Sequence, residues 1–352
     1  MEEVLIVLDS FEYKKQERNL KLRLEEKNTY VFEYTRYENS LIEIFQRMRF
    51  FGSFLTHISY WLMSFFYSIK FFVKYRRIKN LIFINPIVGI FYSALSRLFF
   101  RKQKLTIAGF LFEEKSNKIY WTLRKIFVKF CYKNVTNIIV YGDSEINYYS
   151  SIFPTLASKF KFVEYGRDFY YSDKKEFKFS DAYIASGGKS NRNYQTLCDA
   201  YEIVNAKFPE LTCLVAARPE SVEEKMDKSK IKFIFGITLN QFGSFVENSE
   251  LFVLPLLNTN LSAGHMSMME AMCVGKVVLV TDIPSIRNYV DESEVFFYEP
   301  DNSVDLANQI IYIYQNRNSQ EVKNKIAASK KLYMENYSFD ALLERIVNVS
   351  LI

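Results

Sequence analysis

Short apolar runs alternate with longer segments of helical spacing along the whole chain. Val4 to Leu8, Tyr30 to Tyr34, Leu81 to Asn85, Lys104 to Ala108 and Asn137 to Tyr141 predict strands. Helical patterns from Glu12 to Glu26, from Asn85-Pro86 to about Phe100 and from Ile119 to Tyr132 lie between them. The apolar runs are β-rich and nearly continuous, as strands buried on both faces of a parallel sheet require. Phe162 to Asp168, FVEYGRD, reads as a crossing into a second domain, with the charged stretch SDKKEFKFSD as a linker. The pattern then restarts with YIAS, a GGKSNRNY loop and a helix from Gln195 to Phe208. LTCLVAA, a SVEEKMDKSK helix, IKFIFG and a helix from Asn240 to Asn248 follow. Leu251 to Asp282 is strand, loop, helix and strand in turn, with Gly275 closing the helix. Val304 to Asn316 and Glu321 to Asn336 are helical, and Tyr337-Ser338-Phe339 introduces a last helix. This alternation predicts an α/β fold with parallel sheets, in domains spanning 1–165 and 166–336.

One stretch breaks the rhythm. From Phe50 to Ile69 there is no charged side chain, and 13 of the 20 residues are aliphatic or aromatic. Arg47 and Arg49 precede it, and Lys70, Lys74, Arg76 and Arg77 follow. Ser53, Thr56, His57, Ser64 and Ser68 recur along one side, leaving an apolar face that includes Phe54, Ile58, Leu62, Phe65 and Ile69. Three readings stay open: contact with a membrane interface or an acceptor, a helix of the core, and a membrane span. Bases at both ends give no orientation for a span.

Composition sharpens this picture at few points. A chain of 352 residues suits two domains. The net charge of +6 hides an asymmetry, since residues 1–165 carry 26 Lys and Arg against 15 Asp and Glu. Within residues 44–133 there are 17 bases and only two acids, Glu113 and Glu114. Such a surface suits an anionic membrane, and no nucleic-acid motif accompanies it. Cys131, Cys198, Cys213 and Cys273 have no metal-ligand spacing and read as reduced, in a cytoplasmic protein. MEEVLIVLDS has acids where a signal peptide needs bases, and reads as a first strand.

The candidate chemistry lies in two loops that lead from strands into helices. Gly187 and Gly188 allow backbone to approach a ligand, while Lys189 and Arg192 bring positive charge. The amides of Gly264, His265, Met266 and Ser267 would lie at the positive end of a helix dipole, which suits a phosphate. Glu270, one turn later, is placed to accept a hydrogen bond from a sugar hydroxyl. No cluster suggests a metal.

SAGHMSMMEAMCVGKVVLVTD resembles the donor-site signature of retaining nucleotide-sugar glycosyltransferases of family four. The family pattern has two glutamates eight positions apart, then Ala-Met, a Gly and an apolar strand. Glu270 matches the second glutamate, and Ser262 stands at the first. VYGDSEINYYSSIF is similar to the last strand and aromatic helix of the family's N-terminal domain. The resemblance implies a GT-B fold: two Rossmann-like domains facing across a cleft, with residues 337–352 as a helix returning to the first. It implies that Glu270 binds the donor ribose, that Arg192 takes the place of the pyrophosphate-binding cation, and that Phe235, Gly236 and Ile237 hold the base. Lys189 is then the second cation, and His265 a neutral donor to phosphate or sugar. In the first domain Asp9, with Ser10 and Gly109, would face the cleft, where Asp9 could orient an acceptor hydroxyl.

The implied activity is transfer of a sugar from a UDP- or GDP-linked donor to a glycan or lipid-linked acceptor, without cofactor or metal. Arg192, Glu270, His265 and Asp9 are its candidate catalytic residues. Rival readings are a silent homologue that supports another transferase, a nucleic-acid surface and a sugar-nucleotide epimerase. The acceptor and the oligomeric state are left open.

Overall fold

The first half of the chain places its apolar runs side by side in one parallel sheet. These are β1 (Glu2–Leu8), β2 (Asn28–Tyr34), β3 (Asn80–Phe83), β4 (Lys104–Ala108), β5 (Asn137–Val140) and β6 (Phe160–Phe162). Their spatial order is β2-β1-β3-β4-β5-β6. Val4 to Leu8 have no exposed surface, which is why this run carries no polar alternation. The computed structural model of the protein describes residues 2–8, 13–24, 28–35, 52–114, 117–169, 177–188, 190–218 and 231–352. Asp9, Ser10, Lys189 and the SVEEKMDKSK segment lie outside them, as does the His57 side chain.

Among the described residues, this half carries the helices α1 (Tyr13–Arg23), α2 (Gly52–Lys74), α3 (Pro86–Leu98), α4 (Lys118–Tyr132) and α5 (Ser144–Ile152), with a 3₁₀ turn at Pro154–Lys159. Asn85 caps α3 by accepting from the amides of Ile87 and Val88, and Pro86 takes the first helical position. The uncharged stretch forms α2, with Ser64 and Ser68 turned inward. The Ser68 hydroxyl donates to the carbonyls of Ser64 and Val88, both at 2.8 Å, so this serine binds α3. Among the described residues no helix is long and apolar enough to cross a membrane.

A second sheet repeats the design. It contains β7 (Tyr183–Gly187), β8 (Thr212–Ala216), β9 (Lys232–Ile234), β10 (Leu251–Leu254), β11 (Val278–Thr281) and β12 (Phe296–Tyr298), in the order β12-β11-β10-β7-β8-β9. All its pairings are parallel. Around it lie α6 (Tyr194–Lys207), α7 (Leu239–Glu247), α8 (His265–Cys273), α9 (Pro284–Arg287), α10 (Ser303–Gln315), α11 (Gln320–Asn336) and α12 (Phe339–Leu351). Each sheet has one place where the strand order reverses: β1 beside β3 in the first, β7 beside β10 in the second. In doubly wound sheets that switch point is where ligands bind.

The chain divides into two compact units, residues Met1–Val163 with Leu342–Ile352, and Glu164–Ala341. The breaks fall at 163/164 and 341/342, so most of α12 belongs with the first sheet. Ile346 and Val347 are fully buried there, and the Asn137 side-chain amide donates to the Val349 carbonyl at 3.5 Å. β6, β12 and α9 are three or four residues long. Segments so short show no periodicity, so the sequence pattern does not reveal them.

Candidate functional site

At the carboxyl ends of β7 and β10 two loops are stitched together by backbone. The Asn193 amide donates to the Pro255 carbonyl at 3.0 Å and the Leu257 amide to the Asn191 carbonyl at 3.1 Å, so Arg192 is fixed opposite Leu256. Thr281, at the end of β11, holds the other side of the β10 loop by accepting from the Leu256 amide at 2.8 Å.

The Arg192 guanidinium fills the space these loops enclose. Nε donates to the Gly187 carbonyl at 3.0 Å, Nη1 to the Ser190 carbonyl at 2.7 Å and Nη2 to the Ser267 hydroxyl at 3.3 Å. Burial lowers its pKa, with the nearby Tyr194 opposing. An arginine nonetheless keeps its charge at neutral pH. No carboxylate is paired with it among the ion pairs of the described residues. A cation held by carbonyls and a hydroxyl keeps its field available to an anion.

Both glycines of the first loop are required by this packing. A Cβ on Gly188, whose φ is +120°, would lie 2.3 Å from Arg192 Nη2. A Cβ on Gly187 would lie 2.6 Å from the Phe242 ring of α7. The Tyr194 hydroxyl fixes the turn further by donating to the Gly188 carbonyl at 2.6 Å.

The second loop enters α8 through Gly264, whose φ of 85° is left-handed and whose helix start has no side-chain cap. Amides at such a start have no partner within the helix and point along its axis, beside Ser267 and therefore beside Arg192. Met266 is 40% exposed here, and Arg167 Nη1 approaches its sulfur at 3.7 Å. Sequence reasoning placed Arg167 only in a crossing segment, because nothing local signals a contact 99 positions away.

His265 is 5% exposed and packs on the Tyr289 ring at 4.1 Å between centroids. Its Nε2 lies 3.0 Å from the Ser285 carbonyl, which can only accept, so that nitrogen carries the proton. Burial pushes its pKa down to about 4, the Ser285 bond opposing and Arg192 assisting. The ring is therefore neutral at pH 7, with its N–H engaged inside the protein. Glu270 is 7% exposed on the same helix, one turn beyond Met266.

The structure thus brings together Gly187, Gly188, Arg192, Gly264, His265, Met266 and Ser267 at one switch point, with Glu270 one turn further along α8. Phe235, Gly236 and Ile237 follow β9, two strands from β7 at the same edge of the sheet. Phe235 is half exposed and lies parallel to Phe233, with centroids 6.5 Å apart and 9° between planes. Gly236, at φ +83°, has open space where a side chain would stand. Asp9 and Lys189 lie outside the described residues. Among those residues, no three His, Cys, Asp or Glu side chains gather as a metal site would require.

Residues 182–316, which contain the loops around Arg192 and the start of α8, match the family model described as Glycosyl transferases group 1. No curated protein sequence matches the chain. Among solved structures, a glycosyltransferase from Rickettsia africae ESF-5 superposes with a TM-score of 0.60 at 13% identity, covering 99% of this chain and 97% of that one. Anabaena HepE, solved with UDP, gives 0.59 at 11%, covering 99% of both. Sucrose-phosphate synthase from Thermosynechococcus elongatus gives 0.61 at 11%, covering 99% and 98%. At these identities the likeness is one of fold, and the chain has the GT-B fold built from two Rossmann-like units.

Proposed function

We propose that this protein is a glycosyltransferase that takes its sugar from a nucleoside-diphosphate donor. The observation that carries the reading is the Arg192 guanidinium, clamped between the β7 loop and Ser267 at the uncapped start of α8. Transfer from such a donor leaves a nucleoside diphosphate, and a preorganised cation with backbone amides stabilises the charge that develops on it. In this reading Glu270 accepts from the ribose, and the loop Phe235 to Ile237 seats the base. The match of residues 182–316 to group 1 glycosyltransferases supports the same assignment. Anabaena HepE has been solved with UDP and with UDP-glucose, which makes uracil the first base to test. We assign His265 a packing role that sets the start of α8, with its backbone amide rather than its ring toward the diphosphate. A hydroxyl of a glycan or lipid-linked acceptor attacks the anomeric carbon of the donor sugar as the nucleoside diphosphate leaves, with retention at that carbon and without a metal.

Thermal stabilisation by UDP, GDP and their glucose conjugates tests the donor site, with EDTA present. One base raises the transition of the wild type. Arg192→Ala weakens that nucleotide by about 10- to 100-fold, the scale of a lost charged hydrogen bond. Arg192→Lys, which keeps the charge, weakens it less. No shift with any nucleotide at millimolar concentration would overturn the donor reading in favour of a silent homologue.

A further inference from the structure

The helices that follow β2, β3 and β4 cross in the same direction along the first sheet, so right-handed connections place α2, α3 and α4 in one layer. The outer surface of that layer is apolar, the reverse of an ordinary surface helix. On α4, Ile119, Leu123, Ile126, Phe127 and Phe130 form an exposed stripe at helical spacing, between 37% and 75% accessible, with Lys118, Thr122 and Lys129 exposed beside it. On α2, Ser64 and Ser68 are inside while Leu62, Phe66 and Val73 are 53% to 66% exposed. Trp61 and Phe65 carry the face across to α3 through Phe91, at ring distances of 5.6 and 5.4 Å.

The corner after α3 is the sharpest feature of this face. Leu98, Phe99 and Phe100 are 59%, 65% and 89% exposed. Phe100 has φ +53°, a left-handed conformation that costs a side-chain-bearing residue roughly 1–2 kcal/mol. A bulky aromatic is thus held in an unfavourable conformation and pointed away from the protein. Two arginines that flank the corner in sequence lie over rings of the neighbouring helices. Arg97 lies over Phe130 at 4.3 Å, Arg101 over Phe72 at 3.5 Å, and Phe72 meets Phe99 at 5.4 Å. Beside Arg97 a hollow of about 510 Å³ is lined by Lys129, Lys133 and Lys159. Over residues 52–133 the sequence has two acids, Glu113 and Glu114.

We propose that this face docks the protein on an anionic lipid bilayer. The α4 stripe and the Leu98–Phe100 corner enter the acyl boundary, and Arg97, Lys129 and Lys133 meet lipid phosphates at the hollow. The apolar surface matches hydrocarbon, and the one-signed charge at its rim matches anionic headgroups. The inference goes beyond the donor reading and shares no residue with it.

Flotation of the full chain with vesicles of phosphatidylcholine containing phosphatidylglycerol tests it, against phosphatidylcholine alone. The wild type floats with the anionic vesicles, less so in high salt, and its fluorescence shifts to the blue as Trp61, 42% exposed on this face, enters the apolar boundary. The pair Phe99→Ser and Phe100→Ser binds at least about tenfold more weakly, given the apolar surface removed. The pair Lys129→Glu and Lys133→Glu loses the preference for anionic vesicles. Circular dichroism and nucleotide-induced stabilisation show that both variants are folded. Failure of the wild type to float, or equal flotation by the variants, overturns the proposal. Concentration-dependent self-association abolished by the phenylalanine pair, without flotation, overturns it in favour of a second copy of the chain.

Discussion

His265 shows how a single buried group ties acid stability to the site. Its pKa falls from the ordinary histidine value of 6.5 to about 4 because burial disfavours the charged ring. Between those values the unfolded chain binds a proton that the folded chain does not, so stability falls as pH drops through 6.5 toward 4. Above 6.5 the contribution is fully present. The linkage amounts to about 2 kcal/mol at pH 5 and about 3 kcal/mol at pH 4. His265→Gln, which can still donate to the Ser285 carbonyl, is expected to lose less stability than the wild type over that range. Urea unfolding of both proteins at pH 7, 5 and 4 measures the difference, and parallel curves would refute it. Residue types at this site were legible from sequence, since Gly, Arg and Glu announce loops, charge and hydroxyl binding. The state of His265 was not, because its partners Ser285 and Tyr289 lie on a short helix and the turn after it.

At the scale of the element, the start of α8 decides the geometry. Gly264 combines a left-handed φ with a close approach: a Cβ there would meet Leu254 and Leu256 side-chain carbons at 3.0 Å. Gly264→Ala therefore costs about 1–2 kcal/mol for the conformation, with crowding added. It also tilts the amides facing Arg192. Stability in urea and the nucleotide-induced thermal shift should fall together, and a variant that loses neither would show that the start of α8 tolerates displacement. The strand, loop and helix around Gly264 were readable in advance, since an apolar run, a Ser/Gly loop and a Met-rich helical pattern are local signals. α2 was ambiguous, because its serines and its aromatics could each have been the solvent face. The inward turn of Ser64 and Ser68 is set by α3, whose Val88 carbonyl takes the Ser68 hydroxyl.

Across the whole molecule, α12 belongs with the sheet laid down first in sequence. Ile346 is fully buried in that unit, so Ile346→Ala should cost roughly 2–5 kcal/mol there. Hydrogen exchange reads this directly: amides of β3, β4 and β5 should lose protection, while those of β7, β10 and β11 keep more of theirs. Equal loss in both sheets would contradict the division into two units. By itself the sequence determined that there are two α/β halves, that their strands are buried and parallel, and where the two loops of the candidate site lie. Hydrophobic period, caps and glycines act over a few residues, so they can be read in order along the chain. Only the tertiary structure decided that Arg192 meets Ser267 across 75 positions, that His265 is sealed neutral, and that one helical layer turns its aromatic side outward. Each of these depends on what packs against a side chain, and strand order and helix contacts, rather than neighbours in sequence, settle that.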